Sequence, residues 1–212
     1  SVTTAQSTET GTVYLVKSGS TVTDKASLDT LAAGDTANSA TVTTANTNTT
    51  IATTGLVDGT YKTYAVDAAG NVSAASTNTI TLDSAAPTIS AVSIPNSAMK
   101  VGSAVTVSIT AGEAGLSLVS GSVNGVNVTG FTDNGGGSYS ATYTVAEGNT
   151  DRAAGATIPV SFVLADAASN NSAAFTTAIS QASDSIDANT PTTSVTTASV
   201  NNTTSVTTAQ ST

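Results

Sequence analysis

Short segments in which apolar and polar residues alternate are the main pattern of this sequence. Over Val101–Thr110 the residues Val101, Val105, Val107 and Ile109 fall on one face, and Tyr139–Val145 alternates in the same way. A period of two, interrupted by turns rich in Gly, Asn and Asp, is typical of antiparallel β-strands. No segment has a sustained helical repeat, although 25–33 has the composition of a short helical turn. We therefore expect an all-β protein made of antiparallel β-sandwiches.

These patterns place strands along the whole chain. The predicted strands are 1–6, 13–16, 40–44, 49–52, 60–66 and 72–82 in the first half, and 88–94, 101–110, 116–123, 139–145, 157–165 and 173–180 in the second. The dipeptides Asn124-Gly125 and Asn134-Gly135 favour two-residue hairpin turns, because Asn and Gly tolerate positive φ.

One combination of elements occurs twice. The segment Tyr61–Pro87 contains a strand, an acidic turn (Asp67–Asn71), a second strand and an acidic hinge (Asp83–Pro87). The same order returns about a hundred residues later. The matching positions there are Asp166, Asn170, Asp187 and Pro191. A doubled closing hairpin predicts two similar modules, each of roughly 100 residues.

The chain also repeats its own beginning. Residues 1–8 and 205–212 both have the sequence SVTTAQST, 204 positions apart. We interpret this as a tandem array in which the chain runs slightly past one repeat unit. In that register, 1–83 is an immunoglobulin-like domain without its own first strand, 84–187 is a second such domain, and 188–212 holds the opening strands of the next copy. The residues predicted to take part in strand exchange with a neighbouring copy are Thr192, Ser194, Val195 and Val206, since exposed sheet edges template pairing.

Composition excludes several classes of function. The net charge is −9 with only five Lys and Arg, so a phosphate-binding surface for nucleic acid is not expected. The chain has no Cys and no His, which excludes disulfides, an imidazole zinc site and a Ser-His-Asp triad. Trp is absent and aromatic residues are 4% of the chain, so a glycosidase is not expected either. We predict that the protein is not an enzyme and has no small-molecule substrate, and we see no membrane-spanning run.

Three segments carry a family resemblance. They are 64–73 (YAVDAAGNVS), the hinge 82–87 (LDSAAP), and 115–131 with its VNGVN pattern. On these residues the chain resembles the bacterial immunoglobulin-like repeats of giant secreted adhesins, including RTX-type and large non-fimbrial adhesins. The resemblance implies an extracellular location on the bacterial cell surface, and repeats that extend a distal binding region and are stiffened by calcium at domain junctions. Ser169 departs from the pattern, because Gly is usual at that position of the turn.

The acidic turns and hinges are the candidate calcium ligands. In an immunoglobulin-like sandwich, the start of the first strand lies at the same end as two of the turns, which would bring the hinge and turn acids of one domain together. Calcium binds six to eight oxygens and would relieve their mutual repulsion. The alternative is that these acids are simply solvated loop residues. The predicted ligands are Asp83, Glu113, Asp166 and Asn170 at the first junction, and Asp187 with the next copy's equivalents of Glu9, Asp67 and Asn71 at the second. Asp58, Glu147, Asp151 and Asp184 lie on segments predicted to reach the same junctions.

Two functions follow from these expectations. The first is a spacer repeat of a cell-surface adhesin, whose partners are neighbouring copies arranged head to tail. The alternative is a subunit of a self-assembling extracellular fibre, sheath or surface layer, built by head-to-tail strand exchange.

Overall fold

The fold was analysed in a computed structural model, which describes residues 1–196 and the strand at 209–211. The chain divides into two compact units, unit 1 (Ser1–Ser84) and unit 2 (Ala85–Thr212). Both consist mainly of antiparallel sheets, and the all-β fold class predicted from the sequence is confirmed. That the ranges 1–83 and 84–187 fold as independent domains stays a prediction. The described part of the chain has no helix that is long and apolar enough to cross a membrane.

Unit 1 contains six strands and one helix. They are β1 (Val2–Ala5), β2 (Gly11–Lys17), α1 (Lys25–Ala32), β3 (Ala37–Val42), β4 (Thr49–Ala52), β5 (Gly59–Asp67) and β6 (Ile80–Leu82). The order β3-β2-β5-β6 forms one sheet, and β1 pairs with β4 in a second. Residues of β2, β3, β4 and β5 form the core between them. Its fully buried members are Val13, Leu15, Val42, Ile51 and Tyr61.

The helix α1 covers the other face of strand β2. Successive side chains of a strand point to opposite faces, so Tyr14 and Val16 point away from the core that contains Val13 and Leu15. Tyr14 and Val16 pack instead with Leu28 of α1. The helix begins at a capping box, in which Asp24 accepts from the backbone N–H of Ser27 at 2.8 Å. The short helix expected at 25–33 is therefore confirmed, and it explains why β2 is buried on both faces.

Unit 2 is a sandwich of two sheets. Its main strands are β7 (Ile89–Ser93), β8 (Met99–Lys100), β9 (Ala104–Ala111), β10 (Ser117–Val123), β11 (Val126–Asn127), β12 (Thr129–Gly135), β13 (Ser138–Thr144), β14 (Val160–Ala165) and β15 (Ile186–Asp187). One sheet has the order β12-β13-β9-β7 and the other β11-β10-β14. This is the strand arrangement of an immunoglobulin-like sandwich. The predicted alternation in 101–110 holds from Ala104 onward, where every second residue of β9 is buried.

The last long strand of each unit is shorter than predicted. The expected strand 72–82 is reduced to β6 and a single bridge between Val66 and Val72. The reason is that the hydroxyls of Ser73 and Ser76 accept the hydrogen bonds of the β5 N–H groups, in place of backbone carbonyls. In unit 2 the expected strand 173–180 is likewise reduced to isolated bridges, and the Ser172 hydroxyl accepts from the N–H of Leu164.

One predicted hairpin turn is confirmed and the other is wrong. Val123 pairs with Val126, so Asn124-Gly125 is the expected two-residue turn, with φ of 53° and 79°. In the next hairpin Gly135 pairs with Ser138, so the turn is Gly136-Gly137 and Asn134-Gly135 belongs to β12. A Cβ on Gly137 would lie 2.5 Å from the carbonyl oxygen of Ala111, and only glycine fits there.

The tail forms its own strand pair. Strand β16 (Thr193–Val195) is antiparallel to β17 (Ala209–Ser211), with Thr193 opposite Ser211 and Val195 opposite Ala209. Of the residues predicted to exchange, Ser194 and Val195 lie in β16 and Thr192 directly precedes it, whereas Val206 lies outside the described residues.

Candidate functional site

The two acidic turns have the same hydrogen-bond pattern. In unit 1 the carboxylate of Asp67 accepts from the backbone N–H of Asn71 at 2.8 Å and from its side-chain amide at 2.7 Å. In unit 2 Asp166 accepts from the same two groups of Asn170, both at 2.9 Å. Each Asp and Asn pair closes a five-residue turn at the end of the penultimate strand, which is why the spacing of these residues recurs in the sequence.

Ser169 keeps this geometry although it replaces glycine. Its φ is 69°, in the left-handed region, and its N–H donates to the carbonyl of Asp166 at 3.1 Å. Gly70 has a φ of 92° and donates to the carbonyl of Asp67 at 3.2 Å. The departure from the family pattern therefore leaves the turn intact, at the conformational cost of a non-glycine residue in this region.

These hydrogen bonds stabilise both turn carboxylates in the charged form. The side-chain amide of Asn71, followed by its backbone N–H, lowers the pKa of Asp67. The pKa of Asp166 is lowered in the same way, chiefly by the amide of Asn170. Both residues are therefore anionic acceptors at neutral pH.

In unit 1 the turn faces a second acidic residue. Glu9, Asp67 and Asn71 line one shallow cavity of about 190 Å³, together with Ser7, Thr8 and Ser73. Asn71 donates one hydrogen bond to each oxygen of Asp67, and the backbone N–H groups of Ala69 and Gly70 also interact with this carboxylate. The carboxylate and amide oxygens around this cavity are the ligand type that calcium prefers.

In unit 2 the predicted ligand Glu113 takes part in a hydrogen bond through its backbone. The backbone carbonyl of Glu113 accepts from the hydroxyl of Tyr139 at 2.9 Å. Asp83 belongs to unit 1, and its predicted convergence with Glu113 and Asp166 stays a prediction. Across residues 1–196, no group of three acidic side chains lies close enough together to hold a metal ion. A calcium ion would therefore need carbonyl, amide or water oxygens in addition to these carboxylates.

Other acidic residues bind the hinges of their own units. In unit 1 Asp58 accepts from the hydroxyl of Ser84 at 2.9 Å. In unit 2 Asp151 accepts from the N–H of Ala188 at 2.7 Å, and Glu147 accepts from both the N–H and the hydroxyl of Thr190. These carboxylates hold the segments that follow Asp83 and Asp187. The sequence analysis placed these acids near the hinges as calcium ligands, and it did not predict their hydrogen bonds to hinge N–H and hydroxyl groups.

Asp184 has a different role from that of the hinge acids. Its side chain is fully buried, and its carboxylate accepts from the N–H groups of Gly155 and Gln181. A buried carboxylate with two backbone donors closes a loop. The sequence offered no signal for this, because burial depends on the surrounding fold. Asp187 lines a separate cavity with Lys100, Asn189 and Thr190.

Unit 1 has a second candidate site, a groove along strand β1. It has a volume of about 290 Å³. One side is formed by residues 3–5 of β1 and the following Gln6, and the other by residues between 76 and 80, with Leu15 and Tyr61 also in its lining. A further cavity of about 220 Å³ continues past Gln6, with Ser7, Val13 and Ser73 among its lining residues. The sequence did not predict this groove, since its sides come from segments that are distant along the chain.

No protein-family model and no curated protein matches this chain. Among solved structures, the chain is similar to the fibronectin(III)-like modules of CbhA from Clostridium thermocellum. The identity is 17% and the TM-score is 0.42, over 89% of this chain and 85% of that one. A likeness of this size carries no conclusion about function.

Proposed function

We propose that this chain is a structural repeat of an extracellular bacterial adhesin, which lengthens a stalk and does not itself bind a target. The observation that supports this proposal most directly is the strand pair at the tail. Residues 209–211 repeat the sequence of residues 5–7, and they pair with β16 as β9 pairs with β7 in unit 2. This supports an array in which each copy leads directly into the next.

Composition supports a passive role for the repeat. The structure describes a sandwich whose buried side chains are mostly Val, Ile, Leu, Ala and Tyr. Charged residues are only 9% of the chain, and His and Cys are absent. Repeats of this kind suit a spacer, whereas a binding tip would be expected to occur once and to be richer in aromatic residues.

We also propose that calcium stiffens the junctions between units. The proposal is supported by the oxygen-lined cavity of Glu9, Asp67 and Asn71 and by the acidic hinges at Asp83 and Asp187. A divalent cation would hold together carboxylates that otherwise repel each other. The chain's own residues supply the turn and hinge geometry, and the cation would supply the charge that links them.

The alternative function is a subunit of a self-assembling fibre, sheath or surface layer. It is favoured by the groove along β1, which leaves room for a strand from another copy. In this case contacts between copies, and not the length of a stalk, would carry the function.

The spacer proposal is tested by thermal melts and small-angle scattering of the full chain, in calcium and in a chelator. We expect a higher Tm and a straighter particle with calcium. Asp83→Ala should abolish the straightening while both units stay folded, and Glu113→Gln should weaken it. Asp35→Asn, which changes an exposed acid outside the predicted sites, is the control and should respond as the wild type does. If calcium changes neither quantity, stiffening by calcium is rejected and the fibre becomes the better proposal.

A further inference from the structure

Strand β1 of unit 1 and strand β9 of unit 2 occupy equivalent positions. Ala5 pairs with Thr49 as Ile109 pairs with Tyr139, and each pair is followed four residues later by a turn acid, Glu9 or Glu113. However, β9 has a strand on each side, β13 and β7, whereas β1 has only β4 in the part of the chain that the structure describes. One edge of β1 is therefore without a neighbouring strand there.

The groove lies along β1. In unit 2 the strand β7 fills the position beside β9 and contributes apolar side chains to the core. Val92 of β7 lies opposite Ile109, and both are buried. In unit 1 no described strand plays this part, and Leu15 and Tyr61 of the core line the groove. The groove is thus suited to an extended segment that has an apolar side chain at the position of Val92.

Strand β16 is such a segment, and the structure indicates its register. It pairs with Ala209–Ser211, which has the same sequence, Ala-Gln-Ser, as residues 5–7. Transferring that pairing places Thr193 opposite Ser7, Ser194 opposite Gln6 and Val195 opposite Ala5. Residues opposite each other share a face of the sheet. Ala5 packs against the core of unit 1, so Val195 would point inward, at the position equivalent to Val92.

The solvent exposure of Val195 supports this assignment. It is 68% exposed in its pairing with β17, the highest value among the exposed large apolar side chains of the described residues. Insertion into the groove would remove it from water. The same three residue types, Ala, Gln and Ser, would lie opposite β16 in either pairing. The pairing with residues 5–7 would join β16 to a sheet that already contains β4 and would place Val195 beside the groove lined by Leu15 and Tyr61.

We propose that Thr193–Val195 of a second copy of this chain pairs, antiparallel and in the register given above, with residues 5–7, which continue the open edge of β1 beyond Ala5. The partner is another copy of the same chain, and successive copies would join head to tail. The biological setting of this inference rests on the proposed array, but the contact itself is tested on the single chain.

Disulfide trapping tests the register directly, because the chain contains no cysteine. Full-length Gln6→Cys and Ser194→Cys are mixed under mild oxidation. We expect mixed disulfide dimers between the two variants, and covalent ladders from the double variant. The control is Thr4→Cys mixed with Ser194→Cys. Thr4 is exposed and lies two residues before Gln6, so it is out of register with Ser194. In the proposed pairing, the Cα atoms of Thr4 and Ser194 would be farther apart than the roughly 7 Å that a disulfide spans. We expect at least about tenfold less cross-link from this pair.

Sedimentation of the uncross-linked chain provides a second measurement. Val195→Asp should reduce association of the copies, because a carboxylate would enter the groove. Val119→Asp changes an exposed valine of β10, remote from β16 in sequence, and should leave association unchanged. Neither side chain is in a core, so both variants should fold.

Two outcomes would overturn the inference. One is an absence of mixed dimers, and the other is equal cross-linking from Thr4 and Gln6. If trapping fails while calcium still straightens the particle, the spacer function stands and strand exchange is rejected. If trapping succeeds without any effect of calcium, strand exchange stands and the calcium-stiffened spacer is rejected.

Discussion

Ser169 and Gly70 occupy the same position of the two acidic turns, and both have a positive φ, 69° and 92° respectively. Only Gly70 adopts this conformation without steric cost. We expect Ser169→Gly to raise the free energy of unfolding of unit 2 by about 0.5–1 kcal/mol. Gly70→Ala should lower that of unit 1 by about 1 kcal/mol, although a Cβ at Gly70 has no atom within 4 Å.

Chemical denaturation measures both changes, and hydrogen exchange assigns each to its unit. The two substitutions serve as controls for each other, because they change the same turn position in opposite directions. A destabilising Ser169→Gly would show that the left-handed conformation of Ser169 carries no strain.

Asp67 and Asp166 should make stability depend on pH in acid. Their pKa values are lowered in the folded protein, mainly by the Asn71 and Asn170 side chains. Each carboxylate therefore stabilises the fold above the ordinary aspartate pKa of about 4, and this contribution is lost as the pH falls through the lowered value. We expect Asp67→Asn and Asp166→Asn to flatten the decline in stability below about pH 4.

Urea unfolding between neutral pH and about pH 2 checks this expectation. Asp35→Asn, which removes an exposed aspartate outside the two Asp–Asn turns, is the control for the loss of one carboxylate. A decline that is equally steep in the turn variants and the wild type would contradict the assignment.

Two buried tyrosines of strand β13 should respond differently to loss of the hydroxyl. The Tyr139 hydroxyl accepts from the N–H of Leu116 at 3.0 Å and donates to the carbonyl of Glu113 at 2.9 Å. The Tyr143 hydroxyl is buried, and no described residue forms a hydrogen bond with it. Burial raises the pKa of Tyr143, and the nearby Asn124 side chain partly offsets this effect.

We therefore expect Tyr139→Phe to lower the free energy of unfolding by about 1–3 kcal/mol, because it leaves a buried N–H and a carbonyl without their partner. Tyr143→Phe should change it by less than about 0.5 kcal/mol, or stabilise the protein. The stacking of ring 139 on Phe131, with centroids 5.3 Å apart, is retained in the phenylalanine variant. Equal losses in the two variants, measured by thermal unfolding, would argue against this account.

Tyr14 should link stability to alkaline pH. Burial, together with its hydrogen bond to Asp29 at 2.6 Å, raises the pKa of Tyr14 to about 12. The neutral hydroxyl therefore contributes stability that is complete below about pH 10 and is lost as the pH rises through about 12. Tyr14→Phe should flatten the alkaline decline in stability. An ultraviolet titration in which all five tyrosines ionise together near pH 10 would contradict the prediction.

The strand pattern and the doubled turns could be predicted from the sequence because they depend on local rules. Alternation in β9 reflects burial of one face, and the Asp-to-Asn spacing of each turn closes through hydrogen bonds within five residues. The exact repeat of residues 1–8 likewise required no structure to be seen. Local chemistry of this kind also placed the Asn124-Gly125 turn correctly.

Features that depend on distant neighbours were decided only by the tertiary structure. The second hairpin turns at Gly136-Gly137, because the carbonyl of Ala111 leaves no room for a side chain there. Asp184 can be buried because the N–H groups of Gly155 and Gln181 donate to its carboxylate, and its sequence neighbours do not reveal these partners. The groove beside β1 depends on two distant segments, because residues 3–6 and residues between 76 and 80 line its two sides. The period of the sequence determined which segments form strands, and the packing of those strands decided which of them pair and which side chains line the groove.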